Sequence, residues 1–171
     1  FSKSFQAFSS VNYPELALIQ DERLLQYITT GSRPAPRFYD ALDASVGLLK
    51  LIPGTEDALA EFMLDRYDGL IIESFGVGGL PGGEHGEMFA ALRRWCESGR
   101  LAVFTTQVPH EGCDLAVYEV GRAVGELPGV LEARDMTPEA VAVKLMWALG
   151  QTEDREKAAR LFETPIEYDI M

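Results

Sequence analysis

The sequence predicts an α/β fold in which a small parallel sheet is sandwiched between helices, preceded by an extended arm or hairpin and a linker. Strand-like and helix-like segments alternate from about residue 45 onward. The strand candidates are nearly continuous apolar runs, and the helix candidates carry apolar residues at helical spacing. This combination is typical of a parallel sheet that helices cover on both faces.

The first 40 residues differ from the rest of the chain. Phenylalanines among Ser and Gln precede Asn12-Tyr13-Pro14, which indicates an extended arm because a residue before proline is pushed away from helical conformation. Two short apolar runs, 16–19 and 24–28, are separated by four polar residues and predict a hairpin. The segment 31–36 contains two prolines within three residues, and we interpret it as a linker.

The remaining elements follow from short apolar runs and from apolar residues on one helical face. The strand candidates are 46–51, 69–72, 101–106 and 130–132. The helix candidates are 55–67, a segment with Met88, Leu92 and Trp95 on one face, 115–126, 137–149 and 152–162.

Several helix ends carry sequence signals of their own. Thr55 is expected to cap the first helix, and Gly99 to end the second. The strongest start is Thr137-Pro138-Glu139, with a capping hydroxyl, proline at the first position and a carboxylate in the first turn. We expect Gly150 to stop that helix, and Lys144 to lie on a solvated or locally paired face.

Composition excludes several classes of function. The 171 residues suit one domain, or one domain with an arm. The 15 basic residues against 27 acidic ones give a formal charge of −12, which disfavours binding to nucleic acid or to an anionic membrane. No apolar run approaches the roughly 18 residues of a membrane span. The two cysteines, Cys96 and Cys113, form no disulfide scaffold and favour a reducing compartment.

Glycines follow the strand that ends near Ile72, at 76, 78, 79, 82 and 83. Such a turn lets backbone N–H groups approach an anionic ligand at a helix N-terminus. The pattern is neither G-x-G-x-x-G nor a P-loop, so a tight turn is the alternative. Ser74 and this turn still lie where open α/β sheets bind ligands. Thr105-Thr106-Gln107 similarly ends a strand, either as a source of hydroxyls or as an ordinary β-branched terminus.

The segment 110–114, His-Glu-Gly-Cys-Asp, brings a base, a thiol and two carboxylates together in sequence. A catalytic Cys–His pair needs its two groups within hydrogen-bond reach, which closeness in sequence does not supply. The spacing fits no zinc template. The residues alone therefore predict an α/β domain with a ligand-binding edge and no self-contained catalytic set.

Five motifs in order carry a family resemblance. They are Phe-x-Ala-Phe-x-Ser-x-Asn-Tyr-Pro at 5–14, Gly-Leu-Ile-Ile-Glu-Ser-Phe-Gly-Val-Gly-Gly at 69–79, Thr-Thr-Gln at 105–107, Asp-Leu-Ala-Val-Tyr-Glu-Val-Gly at 114–121, and Asp-Met-Thr-Pro-Glu at 135–139 with Lys-Leu-Met-Trp at 144–147. Together they span nearly the whole chain, which resembles the carboxyl-terminal part of type I cytoplasmic bacterial L-asparaginases.

The resemblance implies an enzyme that hydrolyses L-asparagine to L-aspartate and ammonia. In that family the Thr nucleophile, the Thr–Asp pair and the Lys belong to a larger amino-terminal domain, and no segment here matches them. We therefore expect 1–40 to be the end of that domain with its linker, and 41–171 to be the flavodoxin-like small domain. The opening Phe1 agrees with a piece of a longer polypeptide. No catalytic residue, metal or cofactor is expected in this chain, which should be inactive alone.

The resemblance also implies where substrate lies, because these active sites form between the large domain of one subunit and the small domain of a neighbour. A cytoplasmic homodimer or tetramer is expected. Gly79 stands where some members place Asn and could offer only backbone. Glu73 and Val108 match an Arg and a Cys of a family effector site, and neither can reproduce those contacts. The pocket candidates are Ser74, Gly76, Gly78, Gly79, Tyr118 and Glu119.

Two alternatives remain open at this point. The asparaginase-like subunit of an archaeal-type tRNA-dependent amidotransferase shares the Asp-Met-x-Pro-Glu and Lys-Leu-Met-Trp patterns. Its tRNA partnership predicts basic patches, against which the charge of −12 counts weakly. The other alternative is a stand-alone domain that binds small ligands or mediates association without catalysis.

Overall fold

The computed structural model describes residues 3, 9–29, 31 and 35–171. The chain divides into two compact units, Phe1–Phe38 and Tyr39–Met171. Residues 1, 2 and 4–8 of the arm predicted at the amino terminus, and residues 32–34 of the predicted linker, lie outside the described residues. The assignment of 1–40 and 41–171 to separate domains of a larger enzyme stays a prediction.

The first unit contains the predicted hairpin. Strand β1 (Ala17–Gln20) pairs antiparallel with β2 (Arg23–Gln26), and Gln20 faces Arg23 across the turn. The two turn residues, Asp21 and Glu22, both have positive φ. A two-residue loop of that kind matches the right-handed twist of the strands on either side.

The second unit is built on a four-stranded parallel sheet in the order β3-β4-β5-β6. Its strands are β3 (Val46–Lys50), β4 (Gly69–Ser74), β5 (Leu101–Thr106) and β6 (Val130–Glu132). All residues of the two central strands are buried. The continuous apolar runs therefore predicted these strands correctly. A strand that is covered on both faces has no solvent-exposed face, so its sequence does not alternate between apolar and polar residues.

Helices cover both faces of this sheet, which confirms the predicted fold class. One core contains Ile72 and Phe104 with residues from α1 (Asp57–Arg66), α2 (Glu87–Glu97) and α3 (Glu119–Gly125). The other contains Ile71 and Val103 with residues from α4 (Pro138–Gln151) and α5 (Arg155–Glu163). Neighbouring strand residues thus point into opposite cores. A 3₁₀ turn (Gly83–His85) precedes α2.

Two of the predicted helix ends are confirmed. The Thr137 hydroxyl accepts a hydrogen bond from the Ala140 N–H, and Pro138 occupies the first turn of α4. Gly99 follows α2 with φ +85°, and its N–H donates to the Cys96 carbonyl. Both features satisfy backbone groups that a helix terminus leaves without partners.

The expected caps at Thr55 and Gly150 are wrong. The Thr55 hydroxyl bonds to the N–H and carbonyl of Ile52 and closes a turn, while α1 begins two residues later. Helix α4 continues through Gly150. A Cβ there would lie 2.7 Å from the Ala41 carbonyl oxygen. Glycine therefore permits a close approach of the segment before β3, rather than ending the helix.

Helix α3 begins at Glu119, four residues after the predicted start. The Asp114 carboxylate accepts from the Ala116 N–H, which folds 114–116 into a local turn. The Arg122 side chain bonds to the Ala116 carbonyl. Leu115, predicted as the first helical residue, is instead buried in the core beside the sheet. Local side-chain bonds of this kind compete with helix formation.

Lys144 is not on a solvated or locally paired face. Its side chain is only 5% exposed, and its ammonium lies 2.8 Å from the Asp169 carboxylate and 3.0 Å from the Thr164 carbonyl oxygen. Asp169 and Thr164 belong to the chain after α5. In that segment Ile170 is buried in the core beneath α4. The carboxyl-terminal segment is therefore part of the packed structure.

Candidate functional site

The candidate site lies where β4 and β5 end, at the carboxyl edge of the parallel sheet. Ser74 is the last residue of β4, and Thr106 is the last residue of β5 and its neighbour in register. The glycine turn, defined here as residues 75–79, follows β4 directly. Ligands of open α/β sheets bind at this edge because the loops after neighbouring strands meet there.

The six pocket candidates divide into two groups by exposure. Ser74, Gly78 and Gly79 are buried, whereas Gly76, Tyr118 and Glu119 are exposed. The Ser74 hydroxyl donates to the Thr105 carbonyl oxygen at 3.2 Å, within the sheet. A ligand that binds from solvent would therefore contact Gly76, Tyr118 and Glu119 before the buried candidates. The role of all six in a substrate pocket stays a prediction.

Sequence-distant residues meet beside the glycine turn. A Cβ placed on Gly76 would lie 4.0 Å from the Tyr118 ring, and one on Gly79 would lie 3.1 Å from a Val120 methyl group. The start of α3 therefore packs directly against the turn. The sequence analysis did not predict this contact, because about 40 residues separate the two segments. Both segments nevertheless follow parallel strands, so both lie at the carboxyl edge of the sheet.

Gly79 has φ +131°, a backbone conformation that other residues rarely adopt. Its neighbour Val120 also leaves little room for a side chain. An asparagine at this position would require the turn to change shape. The conformation thus gives a physical reason why this chain carries glycine where the resemblance implies a side-chain amide in some members.

Exposed apolar residues adjoin the exposed candidates in the chain. We call this group the edge patch; its members are large apolar side chains that remain 42–55% exposed, namely Phe75, Val117, Tyr118 and Val120. Exposed apolar side chains clustered in this way mark binding surfaces more often than scattered ones do. Phe75 was not among the sequence candidates. Its position in the sequence could have indicated its exposure, because an aromatic residue between the end of a strand and a glycine turn lies outside the buried part of the strand.

Hydrogen bonds hold the glycine turn in one conformation. The Thr106 hydroxyl donates to the Gly76 carbonyl. The Gly78 N–H donates to the Phe75 carbonyl at 3.1 Å, and the Asp114 N–H to the Val77 carbonyl at 2.8 Å. The turn is thus anchored from β5 on one side and from the segment before α3 on the other.

The effector-site equivalents lie beside this edge. Glu73 is 8% exposed, and its carboxylate lies 2.6 Å from the Lys50 ammonium across β3 and β4. The Gln107 amide donates to the Leu51 and Glu73 carbonyl oxygens. These groups border a cavity of about 300 Å³ against the start of α4. Val108 is half-buried. We predict that Glu73 and Val108 do not reproduce the effector contacts of the family, and this stays a prediction.

The His110–Asp114 segment provides no activated nucleophile. Cys113 is 3% exposed, whereas His110 is exposed. Burial raises the pKa of the Cys113 thiol to about 12, and the nearby carboxylates of Glu132 and Asp114 act in the same direction. A nucleophilic cysteine requires the opposite environment, one that stabilises the thiolate.

A second cavity, of about 620 Å³, lies beside Cys113. Five carboxylates line it, from Glu111, Asp114, Glu132, Asp135 and Glu163. Within the described ranges, no group of three or more His, Cys, Asp or Glu side chains is placed to hold a metal ion. Over the same ranges, no helix combines the length and apolar character that a bilayer crossing demands.

Comparisons with known proteins place this geometry in context. The family model of the glutaminase/asparaginase C-terminal domain matches residues 45–162. The L-asparaginase of Thermococcus kodakarensis is 36% identical over 170 residues, which cover 99% of this chain and 51% of that relative. A glutamyl-tRNA(Gln) amidotransferase subunit of the same organism is 32% identical over 162 residues, covering 92% and 36% of the two chains.

The solved structure of the thermostable L-asparaginase from Thermococcus kodakarensis superposes with a TM-score of 0.90 at 34% identity. It matches 100% of this chain, and the match covers 52% of that chain. The present chain therefore spans about half the length of the asparaginases to which it is similar.

Proposed function

Because the chain belongs to the glutaminase/asparaginase C-terminal domain family, we propose that it is the carboxyl-terminal part of an enzyme that hydrolyses L-asparagine to L-aspartate and ammonia. In this proposal the chain forms one wall of the substrate pocket, and a larger amino-terminal part supplies the reacting groups. The match to an L-asparaginase across 99% of this chain but 51% of that relative supports the division.

The observation that carries the proposed role is the edge patch. Its exposed apolar side chains belong to residues that adjoin Gly76 and Glu119 in the chain, at the edge where parallel sheets bind ligands. A pocket formed between two parts of a protein needs such a surface to exclude water when it closes. The three anchoring hydrogen bonds of the glycine turn keep the wall preorganised.

The chemistry of the chain supports an indirect role in catalysis. Amide hydrolysis needs a nucleophile, a base and stabilisation of the developing oxyanion. The thiol of Cys113 has a raised pKa, and the hydroxyls of Ser74 and Thr105 are fully buried. We therefore infer that this chain contributes binding and shape, with L-asparagine reaching it only in the complete enzyme.

Two further features of the whole protein are proposed with this function. A shared pocket requires self-association, so we expect a homodimer or tetramer of the complete protein. We also propose a cytoplasmic location, which the two unpaired, buried cysteines support. Light scattering that showed a strictly monomeric complete enzyme would contradict the shared pocket.

Ammonia release tests the proposal. We expect the 171-residue chain alone to release no ammonia from L-asparagine, and the complete protein that contains it to do so. In the complete protein, Phe75→Ala should raise KM several-fold, because it removes apolar surface from the pocket wall. Phe62→Ala, which truncates an exposed aromatic on α1, is the matched control. Release by the isolated chain would overturn the proposal and direct attention to His110 and Cys113.

The tRNA-dependent amidotransferase is the second candidate, favoured by the 32% identity over 162 residues to one of its subunits. An asparaginase acts on free L-asparagine without tRNA or a partner protein. We therefore expect the purified complete protein to release ammonia from L-asparagine alone. Activity that depended on tRNA and a second protein would favour the amidotransferase, and absence of activity with every partner would favour a stand-alone ligand-binding domain.

A further inference from the structure

We infer that Thr106 is a positioning residue, which holds the glycine turn in the shape that the substrate-facing wall requires. Its hydroxyl makes two hydrogen bonds at once. It donates to the Gly76 carbonyl and accepts the Val108 N–H, the latter at 3.0 Å. Thr106 is 6% exposed, so water cannot easily replace either partner. The inference rests on the proposed function for its kinetic consequence only.

Within the part of the chain that the structure describes, the side chain of Thr106 is the anchor of the turn that mutation can remove without altering the backbone. The other two anchors, to the Phe75 and Val77 carbonyls, come from main-chain N–H groups. Gly76 is the exposed glycine of the turn and lies against the Tyr118 ring. Loss of its carbonyl anchor would therefore loosen the wall where the edge patch meets the turn.

Position 105 provides a matched control next in the chain. Thr105 is also a buried threonine of β5, yet within the described part of the chain its hydroxyl has no hydrogen-bond partner. Replacing threonine with valine keeps the shape and removes only the hydroxyl. The same substitution at two adjacent buried positions thus removes two hydrogen bonds in one case and none in the other.

The experiment compares Thr106→Val, Thr106→Ser and Thr105→Val in the complete protein. Amide hydrogen exchange is measured at Gly78 and Val108, and kcat and KM are measured with L-asparagine. We expect Thr106→Val to accelerate exchange about tenfold, as the loss of a buried hydrogen bond does. It should also raise KM about tenfold with little change in kcat, the signature of lost uniform binding. Thr106→Ser should restore both, and Thr105→Val should change neither.

The two readouts separate the inference from the proposed function. Unchanged exchange in Thr106→Val would show that its hydroxyl does not hold the turn, which overturns the inference. Accelerated exchange with an unchanged KM would overturn the positioning role as well. If the wild-type protein hydrolysed no L-asparagine, the proposed function would fail, and the exchange rates would still decide whether Thr106 anchors the turn.

Discussion

The buried ion pair between Lys144 and Asp169 gives the most direct test of how the carboxyl-terminal segment stabilises the fold. Asp169→Ala removes the carboxylate that lies 2.8 Å from the Lys144 ammonium. It also removes the acceptor of the Ile166 N–H. The ammonium, 5% exposed at the side-chain level, would keep the Thr164 carbonyl as its hydrogen-bond acceptor.

The expected cost follows from the exposure of the two partners. Removing one partner of a buried pair destabilises a protein by about 3–5 kcal/mol. The Asp169 side chain is 29% exposed, and Lys144 retains one acceptor. We therefore expect a loss of about 2–3 kcal/mol in the free energy of unfolding. For a chain of this size that corresponds to a fall in Tm of about 4–12 °C.

Urea unfolding followed by circular dichroism measures the change. Asp169→Asn keeps an acceptor for the Ile166 N–H and should lie between wild type and Asp169→Ala. The matched control is Glu156→Ala, which breaks an exposed ion pair with Arg160 at 3.7 Å. This control should stay within about 0.5 kcal/mol of wild type.

A double variant tests the physical explanation. Lys144→Met combined with Asp169→Ala removes both charges and leaves an apolar side chain beneath the carboxyl-terminal segment. This variant should regain part of the stability that Asp169→Ala loses, because no buried charge remains without its partner. A loss of stability in Asp169→Ala no larger than that in Glu156→Ala would contradict a stabilising role for the pair.

Three further predictions concern single positions. Gly79→Asn should cost about 1–3 kcal/mol of stability because of the positive φ at this position, and it should not lower KM. Gly79→Ala is the control that separates the effect of backbone strain from that of the side-chain amide. A lower KM in Gly79→Asn would argue against our interpretation. Gly150→Ala should lower the free energy of unfolding by about 1–3 kcal/mol and therefore lower Tm, because the added methyl group would contact the Ala41 carbonyl. A higher Tm would mean that the close approach of the two backbones is not maintained. The Cys96 and Cys113 thiols, whose pKa values burial raises to about 12, should resist a thiol reagent at pH 8 until the protein unfolds. Since the folded state favours the neutral thiols, their contribution to stability is complete below the ordinary pKa of 9.0 and is lost as the pH rises towards 12. Rapid labelling of the native chain at pH 8 would contradict the expected protection of the thiols.

Features that depend on neighbouring residues in the chain could be predicted from the sequence. Continuous apolar runs predicted the buried strands, and Thr137-Pro138 predicted the start of α4. Two short apolar runs around a polar tetrapeptide predicted the hairpin. Each of these signals acts over a few residues, through dihedral preferences, caps and periodicity. The family resemblance also came from local motifs read in order.

Features that depend on residues far apart in the chain became apparent only in the folded protein. Gly150 resembled a helix stop, but it makes room for the backbone at Ala41. Lys144 resembled a surface residue, but it pairs with Asp169. Thr105 and Thr106 are identical in type and adjacent, yet only Thr106 binds the Gly76 carbonyl. These outcomes have one cause, because burial, close approach and hydrogen bonding across long sequence separations exist only once the sheet and its helices have packed.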